Sequence, residues 1–555
     1  MRYAVAAIQV LQTNGQAKLA LEYAYIVLRT HFSELEAHKA YITSLMPNAR
    51  PVDIPVEIER VELGSAVLYS EGASAPTSWF VIEDTLDPST ELEELSLTSP
   101  IAQELLGKKV GDTFILAKSS IKDRVGAILK ILSKYTRRFQ DCMNGMQIRF
   151  GDASLIQSVE ISSSGDLTKA DIQPILDSVR RRAEEVASVR TAYKDLPISL
   201  HVYGEHFGQS AFGAVMDLAS TEIEMVKCAD GTAEVLQQAI GALQSKSTVV
   251  VELSALATLR LLGIEKELLQ IEGLRFVMSQ STAIELQNLR AETCLRGPSK
   301  TMFFEHGKHY LLESTEEAAE KYNLATQEWL QYVEKTVTVM STTLVANLAP
   351  ERREELDRMF GRYGLEAAIL ASSPGHVLWT DDLILGVIAT KELGAERIWT
   401  QALLEYLASV GTLSRSIVDT ASARLLGFNY IATHFNSRTM IAAFELANWA
   451  IDGFPARQVI AAFRQTHSAP GDVSFRMFAE SALLIFSKPL LPETRCLALR
   501  SLLDTFPDGL ETHKRLKVLR QQIARLLAPN RSLQQAFTKC CELWERERFP
   551  FVSPA

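Results

Sequence analysis

The spacing of apolar positions changes character along this chain. In the first fifty residues Ala4, Ala7, Ile8 and Leu11 share one helical face. Asn14-Gly15 interrupts it, and Ala20, Ala24, Val27 and Leu28 resume the same period. The pattern predicts helix, turn, helix and the start of a third helix. From Val56 the period shortens to two, with strands predicted over residues 57–61, 66–69 and 78–82. Ser99 then caps a short helix with Pro100 at its first position and Gly107 at its close, and residues 111–115 return to strand.

Beyond residue 136 the pattern is mixed. Residues 167–192 read as a charged helix with Pro174 near its start, and Arg180-Arg181-Arg182 before Glu184-Glu185 reads as a solvated face. Residues 198–245 alternate strand and helix. His201 and His206 are expected on strand or loop surface, a strand over 222–226 and a helix over 233–243. Thr248-Val249-Val250-Val251 then puts four β-branched residues in a row with no polar alternation, which predicts a central parallel strand. Two further strands are expected at 276–278 and 376–379, and a helical insertion around 311–362 separates them. From residue 401 onward the chain reads as amphipathic helices, including 401–410, 439–452, 474–486 and 512–527.

Each apolar strand of the middle region leads into acids. Glu252 follows the first. Glu285 lies on the helix after the second, three residues beyond Thr282 in a capping-box pattern. Glu366 lies on the helix before the third strand, which ends in Thr380-Asp381-Asp382. Ligand and catalytic sites of open α/β sheets lie at the carboxyl ends of strands. Taken singly, each acid also has a structural explanation, because carboxylates cap helix N-termini and favour the helix dipole.

Composition narrows the classes. The 555 residues allow three to five domains, and 47% hydrophobic with 22% charged residues are globular values. A net charge of −10 argues against a broadly basic nucleic-acid surface. Lys514, Arg515, Lys517, Arg520 and Arg525 share one helix; contact with an RNA backbone and a solvated face are both open, the second favoured. Cys142, Cys228, Cys294, Cys496, Cys540 and Cys541 form no CxxC pair and no zinc spacing, which fits a reducing compartment. No HExxH, GxGxxG, Walker A or GxSxG motif occurs, which sets aside nucleotide-driven motors and serine hydrolases. No secretory pattern and no long apolar run is present, so no membrane partner is expected and the cytoplasm is the expected location.

Three resemblances follow from these residues. The first hairpin, with Gly15 at its turn and Ala20 at its contact, resembles a tetratricopeptide repeat, although an ordinary helical hairpin accounts for it equally. Val61-Glu62-Leu63-Gly64-Ser65, followed by Ser99-Pro100-Ile101-Ala102 and Leu105-Leu106-Gly107-Lys108-Lys109-Val110-Gly111-Asp112, is similar to the FKBP-like C-terminal domain of Gre transcription factors. That family docks this domain on RNA polymerase; its catalytic coiled coil has no counterpart here. The acids resemble those of PIN-domain nucleases: an acid ending a strand, a Glu on a helix, an acid shortly before a strand, and Thr-x-Asp or Thr-Asp ending that strand. The resemblance implies Glu252, Glu285, Glu366 and Asp381 as catalytic metal ligands, with Asp382 as a further metal neighbour, binding Mg2+ or Mn2+ for hydrolysis of RNA. The family's first and third acids are usually Asp, where this chain has Glu252 and Glu366. An added methylene moves a carboxylate by about 1 Å, which strict octahedral magnesium tolerates poorly.

The expected architecture is therefore multi-domain α+β and α/β. It comprises a helical hairpin (1–50), a Gre-like domain (51–135), a linker helix with an α/β lead-in (136–245), a PIN-like α/β/α domain with a parallel sheet (246–400) and a helical region (401–555). The modular combination resembles bacterial conflict or defence proteins, which implies a toxic ribonuclease effector. The competing expectation is a non-catalytic adaptor that binds RNA polymerase or another protein.

Overall fold

The computed structural model describes residues 2–13, 15–45, 58–72, 75–119, 123–150, 172–221, 225–295, 298–431, 433–468 and 472–548. Its strands are, in chain order, β1 (Ser65–Ser70), β2 (Thr77–Glu83), β3 (Glu94–Ser96), β4 (Thr113–Ala117), β5 (Arg124–Ser133), β6 (Thr248–Val251), β7 (Arg275–Ser279), β8 (Ser299–Glu305), β9 (Lys308–Ser314), β10 (Thr338–Met340), β11 (His376–Trp379) and β12 (Arg397–Ile398). The architecture is multi-domain and mixed, with one all-parallel sheet and a helical C-terminal region. The chain divides into two compact units, residues 1–183 with 288–327 and residues 184–287 with 328–555.

In the first unit, helices Arg2–Thr13, Ala17–Thr30 and Leu35–Leu45 pack with helix Lys134–Phe150 around Ala20, Ala24, Tyr25, Leu28 and Tyr41. The small Ala20 and Ala24 are fully buried, as close helix approach requires. The sheet has the order β3-β2-β1-β5-β4, antiparallel except for the β2–β3 pair. Ser99 caps helix Pro100–Leu105 as expected, accepting from the Ala102 N–H. The expected strand over 57–61 does not form: residue 57 lies outside the described residues, and residues 58–61 are irregular. Their backbone bonds go elsewhere, Ile58 N–H to Ile131 and Val61 N–H to Lys108. The insertion expected to be helical over 311–362 is so over Glu316–Thr336 and from Pro350 onward, but residues 311–314 close the β8–β9 hairpin, which begins before it. Its alternation was missed because apolar residues occupy both faces: Met302 and Leu311 on one, Phe303 and Tyr310 on the other.

In the second unit the parallel sheet has the order β10-β7-β6-β11-β12. The chain lays down β6, moves to one side for β7 and β10, then crosses to the other side for β11 and β12. The strand order therefore reverses between β6 and β11, where open α/β sheets form their ligand crevice. Val249, Val250, Val251, Val277, Leu378 and Trp379 are buried, which explains the absence of alternation in the sequence. The described residues between 400 and 548 form successive helices around a core containing Phe444, Phe463, Phe478, Phe486 and Trp544.

Two further expectations change here. His201, expected on strand or loop surface, lies in helix Leu200–Glu205, capped by Ser199. The expected strand over 222–226 falls partly on residues 222–224, which lie outside the described residues, and Val226 makes an isolated bridge to Tyr430.

Candidate active site at the carboxyl edge of the parallel sheet

Glu252 ends β6 and is the N-cap of helix Leu253–Leu262. It is 1% exposed. Its Oε2 accepts from the Ser254 backbone N–H at 2.9 Å, the Ser254 hydroxyl at 2.5 Å and the Thr380 hydroxyl at 2.9 Å. Burial pushes its carboxyl up to about 7; the Ser254 and Thr380 donors oppose that rise, and the charge of Asp382 adds to it. Parallel register sets this geometry. Val251 pairs with Trp379, so the next residues along the two strands, Glu252 and Thr380, meet across the β6–β11 boundary.

Thr380 also ties in the next acid, since its hydroxyl accepts the Asp382 backbone N–H at 3.1 Å. Asp382 caps helix Leu383–Glu392, accepting from Ile384 and Leu385 through one oxygen and from the Leu200 N–H through the other. Burial raises its carboxyl to about 6 against these N–H donors and the charge of Arg397. Asp381 takes a different direction. Its carboxylate receives the Thr400 N–H at 2.8 Å and the Thr400 hydroxyl at 2.5 Å, at the start of helix Thr400–Ser409. Burial raises its pKa, with Thr258 and Thr400 opposing. Two adjacent aspartates thus serve opposite sides of the strand end.

Glu366 lies on helix Pro350–Ala371. Its Oε2 accepts the Ser281 N–H at 3.2 Å, at the start of the helix that follows β7, and its Oε1 accepts Arg362 Nε at 2.8 Å. Glu285, half-buried, belongs to that same helix, Gln280–Leu295. The helix begins earlier than the capping-box reading placed it. Ser279 accepts the Thr282 N–H at 3.1 Å, so Thr282 is an interior residue and the Thr282–Glu285 pair is not an N-cap.

Tyr363 lies on the Glu366 helix, three residues before that acid, and is buried. Burial lifts its hydroxyl well above the usual range, an N–H from Ala211 opposes this, and the charges of Glu252, Glu285 and Asp382 add to it. His201, expected on a surface, is half-buried with its Nδ1 2.8 Å from that hydroxyl. Gly361 makes the approach possible. It breaks the helix at φ 66°, and a Cβ there would come within 2.8 Å of the Tyr363 ring and 3.0 Å of His201. Sequence reasoning did not single out Tyr363, Arg362, Ser254 or Thr380 as site residues. Ser254 and Thr380 carried a signal, since each lies two positions from an acid at a strand end.

Among the described residues no three His, Cys, Asp or Glu side chains stand close enough to cage a metal ion. Magnesium at phosphate-transfer sites takes one or two carboxylates with waters and substrate phosphates rather than a closed protein cage. The oxygen-only donors at the β6–β11 boundary fit that open mode. No helix of the described residues is long and apolar enough to cross a membrane. No curated protein and no solved structure matches the chain. A family model described as the PIN domain associated with the TPR-GreAB-C-PIN system matches residues 250–391, the stretch that holds all five acids, and this supports reading that stretch as the PIN domain of such a system.

Proposed function

We propose that this chain is a metal-dependent ribonuclease, an effector of a bacterial conflict system, with Glu252, Glu285, Glu366 and Asp382 as its functional acids. The observation that carries the reading is the Thr380 hydroxyl, which joins Glu252 to the Asp382 backbone at the point where strand order reverses. Asp382 occupies the Thr-x-Asp position, and Asp381 serves helix Thr400–Ser409 as a structural group. A divalent cation bound there supplies charge neutralisation at a scissile phosphate and a lower pKa for the attacking water. Ser254 and Thr380 orient Glu252, the Leu200, Ile384 and Leu385 N–H groups orient Asp382, and the Ser281 N–H orients Glu366. The segments resembling tetratricopeptide and Gre modules would dock protein partners, RNA polymerase among them.

The test is cleavage of several RNAs by the purified full chain with Mn2+ or Mg2+, beside Glu252→Gln and Glu366→Gln. Both substitutions keep side-chain shape. We expect EDTA-sensitive cleavage that falls by about 100-fold or more in each variant. A second reading, a non-catalytic adaptor, is favoured by the three donors on Glu252 Oε2 and the three N–H groups on Asp382, which leave few lone pairs for an ion. Wild-type cleavage no greater than that of both variants, with all RNAs and both metals, would favour the adaptor.

A further inference from the structure

Among the described residues the β8–β9 hairpin is a two-stranded sheet of its own, and a lone hairpin is marginally stable in water. Its pairs run from Ser299↔Ser314 to Glu305↔Lys308 without a bulge, and neither strand holds a proline, so nothing in the strands blunts their edges against a further strand. The two-residue turn His306-Gly307, at φ 49° and 77°, closes on the Glu305–Lys308 pair, which carries the turn's hydrogen bond. Ladder bonds alternate from there. On β9 the backbone groups of Lys308, Tyr310, Leu312 and Ser314 therefore turn toward β8, and those of His309, Leu311 and Glu313 turn outward.

The apolar residues of β9 are the less covered. Tyr310, Leu311 and Leu312 are 41%, 55% and 62% exposed, against 37% and 38% for Met302 and Phe303 on β8. An apolar run of this kind belongs on an inner strand rather than an edge. Two copies of β9 overlap fully in the antiparallel sense only with Leu311 opposite Leu311. That register sets His309 of each copy against Glu313 of the other, so every outward backbone group meets its complement, and it places Tyr310 beside Leu312. No like charges oppose one another. Lys308 faces Ser314, and Glu313, already 2.6 Å from Lys300 in its own hairpin, faces an imidazole whose Nε2 is fixed 2.9 Å from the Leu176 carbonyl. The same operation on β8, about Met302, would set Lys300 against Phe304 and make no charge match. We propose that β9 is a dimerisation edge: two copies of this chain pair their β9 strands antiparallel about Leu311, giving a twofold-symmetric sheet in the order β8-β9-β9-β8.

The experiment is sedimentation velocity of the full chain over about 1–100 µM. We expect the wild type to approach twice the 61.6 kDa of one chain at the upper end. Leu311→Lys sets two ammonium groups face to face at the axis and should raise the dimer dissociation constant about tenfold or more. Leu311→Pro removes an outward N–H that β8 does not use, and should weaken the dimer as much while the hairpin persists. Met302→Lys, on the other edge, should stay within about threefold of the wild type. An unchanged thermal transition in each variant separates association from folding. A wild type that remains monomeric throughout, as an edge kept for an extended segment of another protein would be, overturns the proposal. So does a dimer indifferent to both Leu311 substitutions, or one broken as readily by Met302→Lys.

Discussion

Glu94 in the mixed sheet and Glu252 in the parallel sheet are both withdrawn from solvent, yet they keep different company. Glu94 is met by cations: Arg29 Nε lies 2.8 Å from Oε1 and 3.0 Å from Oε2, and Arg138 approaches at 3.7 Å. Glu83, in the same unit, is met by Lys134 at 2.9 Å and by the Tyr25 hydroxyl. Glu252 is met by neutral donors only, two hydroxyls and a backbone N–H. A buried carboxylate beside a guanidinium has its charge compensated within the fold. One held by hydroxyls is oriented but not neutralised, and its pKa rises to about 7. The first arrangement joins helix Ala17–Thr30 to the sheet of its own unit. The second leaves at a strand end a carboxyl that keeps its proton to a higher pH than an ordinary glutamate.

The largest expected effect separates the two acids by stability. Glu94→Gln leaves Arg29 and Arg138 short of their counter-charge and should cost about 3–5 kcal/mol, read as lost amide-exchange protection in β1–β3. Glu252→Gln keeps an acceptor for Ser254 and Thr380 and should not destabilise the parallel sheet at neutral pH. The two should also differ in pH dependence in EDTA. The Glu252 carboxyl is raised in the fold, so its contribution to stability is complete below its ordinary value near 4.5 and is lost as pH rises through about 7. Amide exchange in β6 and β11 should show Glu252→Gln gaining on the wild type across that window and holding a constant lead above it. A constant difference from pH 4 to 8 would mean that Glu252 is not held in the neutral form.

Thr380 gives a smaller effect and a finer test. Its hydroxyl donates to Glu252 and accepts from the Asp382 N–H, and it is fully buried. Thr380→Val preserves shape, removes one donor from the carboxylate and leaves one buried N–H unpaired. The expected cost is about 1–3 kcal/mol, by the same exchange measurement, with RNA cleavage falling alongside. Full cleavage by a stable Thr380→Val protein would separate the hydroxyl bridge from the chemistry.

How much of this was legible in the sequence depends on the reach of the pattern. The parallel sheet was readable because Thr248–Val251 and His376–Trp379 are short apolar runs that lead directly into acids, and buried strands have no other way to look. The N-cap role of Asp382 was readable from its position before an apolar helix. The opposite orientations of Asp381 and Asp382 were not, because they depend on where helix Thr400–Ser409 and helix Leu200–Glu205 arrive in space. Tyr363 and His201 stand 162 residues apart, and the missing Cβ at Gly361 leaves room for their contact. Local pattern likewise misplaced His201 on strand or loop surface, where Ser199 caps a helix instead.

The smallest effect concerns the helix Leu510–Leu526, whose five basic residues allowed an RNA-contact reading. The fold uses two of them in unlike ways. Arg520, 8% exposed, pairs with Glu545, whereas Arg515 reaches Asp472 at 2.8 Å with both side chains largely in solvent. If burial decides what an ion pair contributes, as the cost assigned to Glu94→Gln assumes, Arg515→Ala should change stability by less than about 0.5 kcal/mol. Arg520→Ala, which takes the nearer cation from Glu545 and leaves His513 at 3.9 Å, should cost more. The same Arg515→Ala protein reports on the RNA reading, because loss of a phosphate contact lowers the salt slope of oligoribonucleotide binding by about one. An unchanged slope makes this helix a solvated face. A reduced slope would extend the RNA path from the acids at the sheet edge to the helical region.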